Sequence, residues 1–102
     1  IVKPGKKTAE VLVVDLHAHA LLYTTAGMTN TDILNHQLDV FRKTLQENEK
    51  NKGKKIVFIH GKGEGVLRAA VINELRYRFK KYTYQDASFQ EYGYGATMVT
   101  IR

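Results

Sequence analysis

The run Lys55-Ile56-Val57-Phe58-Ile59-His60-Gly61-Lys62-Gly63-Glu64-Gly65-Val66-Leu67-Arg68 decides how the rest of the chain is read. β-Branched and aromatic residues stop at a histidine, three glycines alternate with Lys62 and Glu64, and a helical pattern follows. This predicts a strand, a tight loop and a helix start. Alternating glycines let the backbone take conformations other residues resist and let a ligand approach closely. The free N–H groups and dipole of the following helix favour an anion. His60, Lys62 and Arg68 are expected around that pocket, with Glu64 facing solvent. The simpler account is a strand-to-helix turn whose glycines serve geometry alone.

Upstream, Val11-Leu12-Val13-Val14-Asp15-Leu16 predicts a second strand. Apolar residues fall on both of its faces, so it is expected to be central and covered. In a strand, Asp15, His17 and His19 point the same way, and three polar groups at its carboxyl end form a candidate site. Alternatively these groups cap nearby backbone, the preferred account for His19. Residues 20–29 predict a short helix or packed loop, and Asn30 or Thr31 then caps a helix with Asp32 in its first turn. Leu34, Leu38, Phe41 and Leu45 give that helix one apolar face, and it should fail between Asn48 and Gly53. Leu67, Val71, Leu75 and Phe79 repeat the pattern after the glycine loop. Residues 82–88 and 96–101 predict two strands, linked by a turn containing Gly93 and Gly95. The order β-α-β-α-β-β implies an α/β fold, a mixed sheet with two main helices covering a face.

The chain has 102 residues, enough for one domain with a modest core, and 43% of them are hydrophobic. Residues 1–9 read as a linker or tail, and residues 10–102 as the domain. The opening Ile1-Val2-Lys3-Pro4 lacks a methionine, so an upstream domain of a longer protein is expected. No cysteine is present, which excludes disulfides and thiolate metal sites and fits a reducing, cytoplasmic setting. No apolar run reaches the length of a membrane span. The net charge of +6 favours an anionic partner such as nucleic acid. Lys50, Lys52, Lys54 and Lys55 form a basic cluster, a pattern that is most often a solvated face. Arg76, Arg78, Lys80 and Lys81 crowd the end of the second long helix, where its dipole alone could account for them.

Three motifs carry a resemblance. Asp15-Leu16-His17-Ala18, the run from His60 to Arg68, and Gly93-Tyr94-Gly95-Ala96-Thr97-Met98-Val99 occur in this order. With them the chain resembles the Smr (small MutS-related) domain, whose elements read Asp-Leu-His-Gly, His-Gly-x-Gly-x-Gly-x-Leu-Arg and Gly-x-Gly-Ala-Thr. The resemblance covers about residues 10 to 102. It implies a two-layer sandwich similar to the C-terminal domain of translation initiation factor three. It also implies a place at the end of a MutS-like or other multidomain protein. The implied activity is DNA or RNA binding with endonucleolytic nicking, in DNA repair or recombination. The alternative is a module that binds nucleic acid without cutting it. Carried over residue by residue, catalysis falls on Asp15, His17, His60 and Lys62. Phosphate binding falls on Gly61, Gly63, Gly65 and Arg68, with Lys54 and Lys55 added from the basic cluster. Arg68 either binds phosphate or pairs with an acidic residue. Two features depart from the family: Ala18 replaces a glycine and is followed by His19, and the segment 18–29 is longer than usual.

Phosphodiester cleavage needs a base or metal to activate the nucleophile and positive groups to offset phosphate charge. His17 or His60 could move a proton, and Asp15 could orient a histidine or hold a divalent metal, magnesium or manganese. Without obvious base-reading aromatics, recognition is expected through the backbone or its shape. The His-x-His motif of barrel hydrolases is similar on paper, but a barrel needs about 200 residues or more. The glycine loop lacks the ending of a P-loop and the spacing of a dinucleotide fingerprint, so no nucleotide cofactor is expected.

Overall fold

The computed structural model describes residues 11–61, 65–87 and 95–102. The strand of the organising run is β2 (Lys55–Ile59), flanked by β1 (Val11–Asp15) and β4 (Ala96–Thr100), with β3 (Thr83–Asp86) beyond β4. β1 runs parallel to β2, with Val11 opposite Lys55 and Asp15 opposite Ile59. β4 runs antiparallel to β2 and to β3. A parallel pair needs a crossover. Here it contains α1 (Ala18–Leu21) and α2 (Asn30–Glu47), while α3 (Val66–Tyr77) follows β2. The expected mixed α/β sheet with two main helices is therefore present.

Side-chain alternation along β2 divides the core. Ile56 and Phe58, with Val99 and Ile101, pack against Leu38, Phe41 and Leu45 of α2 and Val71 and Leu75 of α3. Val57 joins a smaller cluster with Ala87 and Ala96. Phe41 meets Phe58 edge-on at 4.6 Å and Phe79 at 6.0 Å. Arg42 clamps α2 to α3 by donating Nε to Glu74 Oε1 (2.8 Å) and Nη2 to Glu74 Oε2 (3.0 Å). That bidentate bond holds the Glu74 carboxyl below its ordinary pKa.

Two expectations need correction. β1 is not central: among the described residues it is an edge strand, and Val11, Leu12 and Val13 are 39%, 36% and 44% exposed. An apolar run states that both faces can be covered, but it does not say which strand lies beside it. The cap of α2 is Thr29, not Asn30 or Thr31. Its hydroxyl accepts from Asp32 N, and the Asp32 carboxylate accepts from Thr29 N, a reciprocal capping box. The turn linking β3 to β4 lies mostly outside the described residues. No described helix is long and apolar enough to cross a membrane.

Candidate nucleic-acid interface

Because β1 and β2 run parallel and in register, their carboxyl ends finish side by side. Leu16 N extends the ladder by donating to Ile59 O at 2.8 Å. The chain then turns into α1, and Gln37 of α2 donates to Leu16 O at 2.8 Å, anchoring the turn. His17, His19 and Asp15 are thus gathered by a turn and a short helix, not by a continuing strand. The His17 and His19 rings stack with centroids 5.2 Å apart.

Asp15 Oδ1 accepts twice from one residue, from His17 N (2.9 Å) and from His17 Nδ1 (2.7 Å). This fixes the proton on Nδ1 and directs the lone pair to Nε2. That nitrogen lies over the glycine turn: a Cβ built on Gly61 would stand 2.7 Å from His17 Nε2. Gly61 also has φ +81°, a left-handed conformation. The structure therefore brings Asp15 and His17 to His60 and Gly61.

His60 is buried and both of its ring nitrogens are engaged. Nδ1 donates to Gly61 O at 3.1 Å, and Nε2 accepts from Thr97 Oγ1 at 2.9 Å. Burial pushes the imidazole below its ordinary pKa, and the nearby charges of Arg68 and His17 act in the same direction. The Gly61 carbonyl and Asp86 oppose that shift. The ring is held neutral between two partners, which suits positioning better than proton transfer.

Gly95 closes the arrangement. Its carbonyl accepts from both His60 N and Gly61 N at 3.0 Å, and a Cβ there would fall on the Gly61 carbonyl. Sequence reasoning placed Gly95 in a turn and Thr97 in a strand and gave neither a place at this site, although both belong to the quoted Gly-x-Gly-Ala-Thr segment. Their register sets the role: Thr97 pairs with Phe58 and Ala96 with Ile59, which delivers them to His60.

Gly65 caps α3 at φ +83°, and Arg68 is exposed in the first turn of that helix. Among the described residues Arg68 forms no ion pair. Lys62, Gly63 and Glu64 lie outside the described residues. Lys54 and Lys55 are not brought to this site. They stand at the other end of β2, five residues or about 17 Å from His60 at ordinary strand rise.

Asp15, His17 and His19 each offer one metal-ligating atom, all within 4.8 Å of one another. Two imidazoles and one carboxylate suit a borderline ion of the zinc type better than magnesium, which prefers oxygen and water.

The family model described as Smr domain matches residues 27–102. The match takes in β2, the glycine turn, Gly95 and Thr97, and begins after Asp15, His17 and His19. No curated protein and no solved structure matches the chain.

Proposed function

The chain belongs to the Smr domain family, and from that premise we propose that it binds and nicks the phosphodiester backbone of nucleic acid at the His17–Gly61 end of its sheet. The carrying observation is the Asp15–His17 pair, with Nδ1 held by the carboxylate at 2.7 Å and Nε2 lying over the glycine turn. That is the arrangement of an oriented general base. His17 Nε2 takes the proton from the attacking oxygen of a water or a ribose hydroxyl. A new P–O bond forms, the ester bond to the leaving oxygen breaks, and solvent protonates that oxygen. Asp15 stabilises the imidazolium produced. The first N–H groups of α3 and the Arg68 guanidinium offset charge on the phosphoryl oxygens. Lys62 is proposed to contribute there by its place in the motif. His60 acts through position: it ties the glycine turn to β4 through Thr97.

The test incubates the purified chain with supercoiled plasmid and with RNA, in chelator, magnesium, manganese or zinc. Nicking should fall about 10²-fold or more in His17→Ala, the usual scale for losing a general base. Asp15→Asn should reduce it less, and both variants should still bind. If wild type and His17→Ala leave the same background, cleavage is lost as an explanation. Binding without cleavage is then the better account. One observation favours that second reading: the histidine of the glycine motif is already engaged at both nitrogens.

A further inference from the structure

Among the described residues, five basic side chains line one cleft away from the histidines. Successive elements alternate in direction, so the ends of α2 and α3 and the start of β2 gather at the end of the sheet remote from His60. A cleft of about 450 Å³ opens there between the segment after α2 and the segment after α3. Lys50 and Lys52 line it from the first segment, and Arg78, Lys80 and Lys81 from the second. Phe79 and Tyr82 add an apolar wall, their rings stacked 5.9 Å apart and 12° from parallel. Glu49 is the only carboxylate lining it among the described residues.

Helix dipoles account for Arg78, the C-cap of α3, but not for Lys50, Lys52, Lys80 and Lys81. Their pull on cations fades beyond the last turn. The last turn of α2 has no basic residue, and that of α3 has Arg76, which does not line the cleft. Internal pairing does not account for the whole set either. Arg78 reaches Glu74 at 3.2 Å and Lys52 donates to the Arg102 carbonyl at 3.0 Å. Among the described residues Lys50, Lys80 and Lys81 form no ion pair. Like charges crowded on two facing segments repel unless an anion lies between them.

We propose that this cleft is a second nucleic-acid contact, holding the backbone of a single-stranded segment while the histidine site engages another part of the strand. The inference rests on the nucleic-acid reading above and adds the surface and the kind of strand. Cations on both lips suit a sugar-phosphate backbone, and the Phe79 and Tyr82 rings, packed into the core, give the groove an apolar floor.

The test titrates labelled single-stranded RNA and DNA of mixed sequence with the intact chain across a salt series. Wild type should bind more weakly as salt rises. The Lys80→Glu, Lys81→Glu double variant should lose about tenfold or more in affinity, with a slope shallower by about 0.7 for each phosphate contact removed. Glu49→Gln should bind more tightly, a gain that a merely structural residue would not give. Circular dichroism and melting of each variant establish that it folds. If wild type binds but these variants match it in affinity and slope, the cleft is not the contact and the histidine-site reading stands alone. If wild type binds neither strand at any salt, the cleft proposal falls, and the histidine-site reading is decided by the plasmid assay alone. If it binds phosphatidylserine vesicles and neither strand, the partner is a membrane surface and the proposal is overturned.

Discussion

At the carboxyl end of β2, Gly61 and Gly95 approach so closely that an added side-chain atom at either collides with a neighbour. At the amino end of the same strand, Lys55 is exposed, and the cleft nearby presents Lys50, Lys80 and Lys81, which form no ion pair among the described residues. One end is specified by backbone approach and buried hydrogen bonds, the other by solvated charge. The first should tolerate almost no substitution, because close-packed atoms have nowhere to move. The second should tolerate most, because water replaces whatever is removed. Stability measurements and binding measurements should therefore separate along β2.

The harshest trial of that contrast is Gly95→Ala. The new Cβ would fall on the Gly61 carbonyl, which is backbone and cannot swing aside. Denaturant unfolding should show a loss of about 3 kcal/mol or more, the upper range for overpacking. Gly61→Ala meets only the far end of the His17 ring, but it must hold φ +81°. Its cost should be about 1–2 kcal/mol of backbone strain, with His17 displaced, which imidazole chemical shifts would report. If Gly95→Ala is as stable as wild type, the close approach of β4 to the glycine turn is wrong.

Thr97→Val keeps the shape of the side chain and removes one hydroxyl. His60 Nε2 is then buried without a donor, at a cost of about 1–3 kcal/mol. A smaller loss would mean that water reaches the ring.

These residues also mark where sequence alone stopped. The amphipathic spacing of Leu34 to Leu45 and Leu67 to Leu75 gave both long helices, because burial of one face is a local pattern; Phe79, read as the next member of the second series, lies past the end of α3 at Tyr77. The parallel pairing of β1 and β2, which brings Asp15 and His17 to His60, followed from the β-α-β order. Strand order did not follow: nothing in Val11 to Val14 distinguishes an edge from a centre. Lys54 and Lys55 adjoin the motif in sequence, yet a five-residue strand carries them to the opposite end. Thr97 needed the register of an antiparallel partner 37 residues away. The box formed by Thr29 and Asp32 was readable, since a threonine three residues before an acid is its signature.

Acid should bring out the same division. The folded state depresses the pKa of His60 below its ordinary 6.5, so the unfolded chain binds this proton more readily. Stability is then full above about pH 6.5 and declines as pH falls toward the folded value. Glu74, depressed below 4.5 chiefly by its bond to Arg42, adds a second decline that starts lower. Thermal melts between pH 8 and 3 should show both. His60→Gln should remove the upper decline and leave the lower one; if both survive, another group holds the upper window.

The mildest effect is expected from Lys81→Gln at the basic end. The side chain is exposed and lines the cleft beside other cations, so its loss removes repulsion and no described contact. Stability should stay within about 0.5 kcal/mol of wild type, with any change toward greater stability. Added salt should erase even that difference, because screening already does what the substitution does. A loss above about 1 kcal/mol would mean that the lysine is held by the protein itself. The charge at this end would then be structural, as the glycines are at the other, and the contrast between the two ends would collapse.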